Sequence, residues 1–246
     1  MLVTKDHVDL DTPTGPMRTF VFTPVGDGTY PGVVMFSEIF QMTSPIERIA
    51  INIAAEGYIV TVCDIYHEFE APGMALSYAP EGVDRGNFLK TEKTLAAYDD
   101  DARACIQYLK GLDRCSGKLG CCGVCIGGHL SLRCAMNPEI SAAVCFYATD
   151  IHKRSLGKGM NDDSLDRFGD LSGEMLMVWG KEDPHVPQAG RDLIYKQLLA
   201  DGVDFTWHEF HAQHAFMRDG APRHDPALAK ICYQLMFEMF QRKLIY

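Results

Sequence analysis

Lys118-Leu-Gly-Cys-Cys-Gly-Val-Cys-Ile-Gly-Gly-His-Leu130 is the stretch around which the rest of the chain is read. It opens as an apolar strand, turns sharply through Gly123-Val124-Cys125-Ile126-Gly127, and continues into a helix from Gly128 onward. The residue at the tip of so tight a turn is held in a strained backbone conformation, so small residues must flank it. Gly123 and Gly127 do so, and the side chain they expose is a thiol. The pattern is a G-x-S-x-G nucleophile elbow with cysteine in place of serine. Unpaired N–H groups and the positive dipole end of the helix favour a thiolate at Cys125, and later an oxyanion. Glycine-rich strand-to-helix turns also hold dinucleotides, but Cys125 sits where a pyrophosphate needs bare backbone.

On the N-terminal side of the elbow, two strand-like segments, His7–Leu10 and Arg18–Thr23, flank a Pro/Gly turn and predict an antiparallel edge. Gly32–Phe36 is a continuous apolar run, as expected of a strand buried on both faces, and it empties into Ser37-Glu38-Ile39-Phe40. Ser44-Pro-Ile-Glu47 reads as a capping box with proline at the first helical position. That helix ends at Gly57, and Tyr58–Cys63 is the next buried strand. A polar passage punctuated by glycine and proline, Asp64 to Lys93, precedes a helix with the apolar stripe Leu95, Tyr98, Ala102, Cys105, Ile106, Leu109.

On the C-terminal side, Asn137-Pro138 closes the helix of the elbow, and Ala142–Tyr147 and Met175–Trp179 read as the sixth and seventh strands. Between them the polar segment 148–173 exceeds a normal connection, as lids and inserts do. A helix from Gln188 to Ala200, a strand Phe205–Glu209, a His-rich loop and an amphipathic helix Pro226–Leu244 complete the chain. Alternating strands and helices imply one α/β domain over residues 1–246, with a mostly parallel eight-stranded sheet and helices on both faces.

Composition narrows the function. The 246 residues are 47% hydrophobic and 23% charged, ordinary for a soluble globular protein, with room for a sizeable core. A net charge of −10 argues against nucleic acid or an anionic membrane surface as partner. No apolar run reaches membrane-spanning length, and Met1–Asp6 lacks a secretory pattern, so a cytoplasmic protein is expected. Nine cysteines are many, yet most fall in apolar strands or helix stripes, where they behave as small hydrophobes. Cys122 and Cys125 spell C-x-x-C, a redox or zinc spacing, but no second pair accompanies it. Neither a metal nor a cofactor is expected. A thiol-redox protein using these two cysteines is the rival from another class.

Ligands of such sheets gather at the C-terminal ends of the strands. After the seventh strand comes Gly180-Lys-Glu-Asp183-Pro-His-Val-Pro187, and after the eighth His211-Ala-Gln-His214-Ala-Phe-Met-Arg218. Nucleophile, acid and histidine thus follow in the order of the α/β-hydrolase fold, with Asp183 orienting His214 and His214 taking the proton of Cys125. Glu182, His208 and His211 are the alternatives; the last two lie in the strand or at its edge.

Over nearly its whole length the chain resembles the dienelactone hydrolase (carboxymethylenebutenolidase) family. The matching pieces are Ser37-Glu38-Ile39-Phe40, Gly123–Gly128 around Cys125, Gly180-x-x-Asp183-x-x-Val186-Pro187 and His214-x-Phe216-x-Arg218. The resemblance implies a cofactor-free hydrolase of small esters or lactones that forms a thioester on Cys125. It further implies an oxyanion hole from the N–H groups of Ile126 and Ile39, Glu38 in deprotonating the resting thiol, and Arg218 on a substrate carboxylate. Arg85 is the arginine available to match the family's second one, and Tyr147 is a candidate pocket wall. Segment 148–173 is longer than in the dienelactone enzymes, which leaves neutral esters, or other electrophiles such as phosphate triesters, as alternative substrates.

Overall fold

The computed structural model describes residues Met1 to Tyr246. Eight strands form one sheet in the order β1-β2-β4-β3-β5-β6-β7-β8. They are β1 (Val3–Thr12), β2 (Gly15–Pro24), β3 (Tyr30–Phe36), β4 (Ile59–Cys63), β5 (Cys115–Val124), β6 (Ile140–Phe146), β7 (Glu174–Gly180) and β8 (Phe205–Phe210). β1 and β2 form an antiparallel hairpin, β2 runs antiparallel to β4, and the remaining six strands are parallel, as expected. Six helices cover the sheet: α1 (Ser44–Ala55), α2 (Pro80–Glu92), α3 (Leu95–Lys110), α4 (Ile126–Cys134), α5 (Gln188–Ala200) and α6 (Pro226–Phe240).

Strand side chains alternate between two cores because successive Cβ atoms point to opposite faces. Val34 and Phe36 of β3, Leu119 and Cys121 of β5, and Met175, Met177 and Trp179 of β7 pack with α3, α4 and α5. Their neighbours Val33, Met35, Cys122, Val124, Leu176 and Val178 pack with α1 and α6. Both faces of the parallel strands are therefore dry, which explains their unbroken apolar sequences.

Two local expectations are corrected. The N-cap of α1 is Thr43 rather than Ser44, and no side chain caps the helix. The Thr43 hydroxyl is instead engaged by the Tyr78 hydroxyl at 2.7 Å. Helix α2 lies inside the passage read as irregular. Its glycines conceal it in sequence, yet a Cβ on Gly86 would stand 2.7 Å from the Ile39 carbonyl oxygen, so only glycine lets α2 approach that loop.

Segment 148–173 is built from short 3-10 turns held to α4. The Arg133 guanidinium donates to Asp99 (2.9 and 2.8 Å), Asp162 (3.1 Å), Asp163 (2.7 Å) and Ser164 (2.8 Å). His129, also on α4, bonds the Ser164 hydroxyl at 2.8 Å. No helix of the chain is long and apolar enough to cross a membrane.

Candidate active site

Cys125 stands between β5 and α4 with φ 61° and ψ −125°, a strained combination for a residue with a side chain. The turn survives because its neighbours have no Cβ. One on Gly123 would lie 2.0 Å from the Gly127 carbonyl oxygen, and one on Gly127 would lie 2.3 Å from that of Phe36. The Cys125 N–H donates to Phe146 O at 3.1 Å, tying the turn to the end of β6. Helix α4 begins at Ile126, earlier than the sequence suggested, so its first N–H groups, which lack intrahelical partners, crowd the thiol.

The loops after β7 and β8 bring Asp183 and His214 to the same place. His214 Nδ1 donates to Asp183 Oδ2 at 2.7 Å, and the backbone N–H of His185 donates to the other carboxylate oxygen at 2.8 Å. Burial pushes the Asp183 carboxyl up, but these bonds outweigh it and hold it below the usual carboxylate range. The Cys125 thiol and the His214 imidazole line the same cavity. Burial opposes the charge on His214; Cys125 and Asp183 together overcome it and raise the imidazole to about 10. The rival histidine His211 is 86% exposed and pairs with Glu182 at 3.0 Å, so both alternatives face away from the thiol and toward solvent. His208 is half-buried in β8, stacked on Phe210.

Glu38, only 2% exposed, lies in the loop after β3. Desolvation raises its carboxyl above the ordinary range, against the pull of Arg218 and His214 and bonds from Arg218 and Tyr78. Arg218 Nη1 donates to Glu38 Oε2 at 3.5 Å, and the Tyr78 hydroxyl donates to the same oxygen at 3.4 Å. The guanidinium lies over the Tyr78 ring, 4.4 Å from its centroid, and 5.7 Å from that of Phe40. It is thereby held flat, with its charge stabilised by two ring faces.

These groups line one cavity of about 390 Å³, the size of a small-molecule site. Cys125, His214, Glu38, Ile39 and Arg218 face it. Ile126 is buried directly behind the thiol, as the first residue of α4. Two expected residues lie elsewhere. Arg85 pairs with Glu70 at 2.6 Å and leans on Phe88, outside the cavity. Lys90 of the same helix lines it instead, because five residues carry a side chain roughly 140° round the helix. Tyr147 is 1% exposed and packs edge-on against His214, ring centroids 5.1 Å apart, so it supports the imidazole rather than walling the pocket. Tyr78, Lys90, Asp150, Lys153, His185 and Arg223, which the sequence did not single out, complete the lining.

Cys122 points into the core shared with α1 and α6, and burial pushes its thiol well above the usual range. No group of three or more His, Cys, Asp and Glu side chains is placed to hold a metal ion. A half-exposed thiol beside a buried, carboxylate-bound imidazole can attack an electrophilic carbon and hand its proton to the ring.

A mostly parallel sheet of this order, with a side chain on a left-handed turn after its central strand, is the α/β-hydrolase fold. A solved structure of a dienelactone hydrolase assigned in Klebsiella pneumoniae superposes with a TM-score of 0.84 at 21% identity, covering 98% of this chain and 99% of that one. A dienelactone hydrolase-like promiscuous phosphotriesterase from metagenomic libraries gives 0.78 at 19% identity, covering 99% of both chains. Residues 17–244 match the model of the dienelactone hydrolase family, and the chain belongs to that family. A Saccharomyces cerevisiae protein assigned as a carboxymethylenebutenolidase is 43% identical over 256 aligned positions, spanning 99% of this chain and 93% of the relative.

Proposed function

We propose that this member of the family hydrolyses small esters or lactones by covalent catalysis through Cys125. The observation that carries the reading is a thiol on a strained turn and an imidazole lining the same cavity, with a carboxylate 2.7 Å behind the imidazole. Cys125 attacks the acyl carbonyl, and His214 holds the thiol's proton as an imidazolium stabilised by Asp183. The tetrahedral oxyanion is met by the N–H groups of Ile126 and Ile39, and its collapse, with His214 giving its proton to the leaving oxygen, expels the alcohol and leaves a thioester. His214 then activates water, which releases the acid and restores the thiol.

Arg218 binds a carboxylate of the substrate. An incoming carboxylate competes with Glu38 for this guanidinium. The freed Glu38, whose proton affinity burial already raises, then takes part in deprotonating the resting thiol by relaying its proton to His214. The cationic wall supports an anionic substrate over a neutral ester. One structural neighbour is a promiscuous phosphotriesterase, which makes phosphate triesters the second reading to assay. Burial of Cys122 on the core face supports a single nucleophile over a redox pair.

Turnover of p-nitrophenyl acetate by wild type, Cys122→Ala and Cys125→Ala tests the proposal. Hydrolysis is expected to survive the first substitution and vanish with the second. Loss of insulin-reducing activity in both variants, with ester hydrolysis retained, would favour redox chemistry instead.

A further inference from the structure

The chain carries a net charge of −10, yet the wall of the cavity holds four cations, Lys90, Lys153, Arg218 and Arg223, against two carboxylates, Glu38 and Asp150. Both carboxylates are already committed. Asp150 accepts two bonds from Lys90 Nζ, each 3.0 Å, and Glu38 faces Arg218. Lys153 and Arg223 make no ion pair with any residue of the chain, although acidic side chains outnumber basic ones 33 to 23. They reach the cavity from separate segments, Lys153 from the turn after β6 and Arg223 from the loop before α6, and both are exposed at its edge. Two unmatched cations converging on a concave site in an acidic protein focus a positive potential where a ligand enters.

We infer that the substrate carries two anionic groups: one beside Arg218, and a second held between Lys153 and Arg223 at the mouth of the cavity. The inference rests on the proposed ester hydrolysis at Cys125 and names the substrate class, a small ester or lactone bearing two free carboxylates. Lys90 is not the second anchor, because Asp150 satisfies it and the Thr149 and Ser155 hydroxyls hold that carboxylate in place at 2.7 and 2.9 Å. Exposure of Lys153 and Arg223 limits each contact to a modest gain, and the two together make about a tenfold preference. The preference weakens with added salt, as contacts at a solvent-exposed edge must.

The test uses three p-nitrophenyl esters of one leaving group: acetate with no free carboxylate, succinate with one and tricarballylate with two. In wild type the tricarballylate ester is expected to exceed the succinate ester about tenfold in kcat/KM. The double variant Lys153→Met/Arg223→Met should bring that ratio to near one. Both residues are exposed, so the fold should tolerate the change. A ratio near one in wild type, or a ratio retained in the double variant, overturns the inference. Loss of all ester turnover in wild type would instead overturn the hydrolytic reading. Calorimetric binding of free tricarballylate would still decide this inference: tighter binding to wild type than to the double variant supports it, and equal binding refutes it.

Discussion

Replacing Gly127 by alanine probes the turn that holds the thiol. Gly127 and Gly123 both lie outside the positive-φ region, so what they supply is space rather than conformational freedom. A Cβ on Gly127 would lie 2.3 Å from Phe36 O and 2.5 Å from Ser37 O, both backbone atoms at the end of β3. Reaching even a tight 3.0 Å contact requires movement of about 0.7 Å by strand or helix. Forced overpacking of this kind costs about 1–3 kcal/mol, or roughly 2–12 °C in Tm for a chain of this size. The loop that must move carries Glu38 and Ile39, and the helix that must move carries Ile126. Displacing catalytic groups by nearly 1 Å lowers kcat by about a hundredfold. Gly169→Ala is the control, since a Cβ there meets nothing within 4 Å. Thermal melts and p-nitrophenyl acetate turnover of the two variants provide the assay. A Gly127→Ala enzyme with wild-type kcat and Tm would refute the close-approach reasoning.

Other outcomes follow from the same geometry. His214 has its pKa raised above the ordinary 6.5 to about 10, so its contribution to stability is complete below about pH 6.5 and lost as pH rises toward 10. Thermal melts across that window should show the loss in wild type, and less of it in Asp183→Asn, which removes one source of the shift. Asp183→Asn and His214→Ala should each lower kcat about a thousandfold or more, whereas His211→Ala, with its exposed side chain, should be near neutral. Arg133→Met leaves the buried Asp162 carboxylate only Ser164 and the nearby His129, and should cost about 1–3 kcal/mol in denaturant unfolding. Arg218→Gln should remove about 1.5–3 kcal/mol of preference for a carboxylate-bearing ester over its neutral analogue, with Arg85→Gln unchanged in the same comparison.

The sheet was legible because its rules are local. Strands buried on both faces read as unbroken apolar runs, and the Gly123–Gly127 pair marked the strand-to-helix turn on its own. Asp183 and His214 were legible because they follow strands whose ends topology brings together. The cavity's far wall was not. Helix α2 buries only Gly82, Gly86 and Leu89, so its sequence lacks the apolar stripe that reveals a helix. Without the helix there was no phase to separate Arg85 from Lys90. Tyr78 has no local pattern at all: its place over Arg218 depends on a loop meeting the chain 140 positions later. Thr43 shows the converse, a residue of cap type whose hydroxyl is taken by a tertiary partner.

The identity of the residue that becomes acylated decides the mechanism most directly. Incubating the enzyme with a slowly deacylating ester, quenching in acid and mapping the adduct by mass spectrometry reads it without reference to rates. The acyl group is expected on Cys125 alone among the nine cysteines, as a thioester that hydroxylamine removes. An adduct on any other residue, with Cys125 unmodified, would contradict the mechanism at its first step.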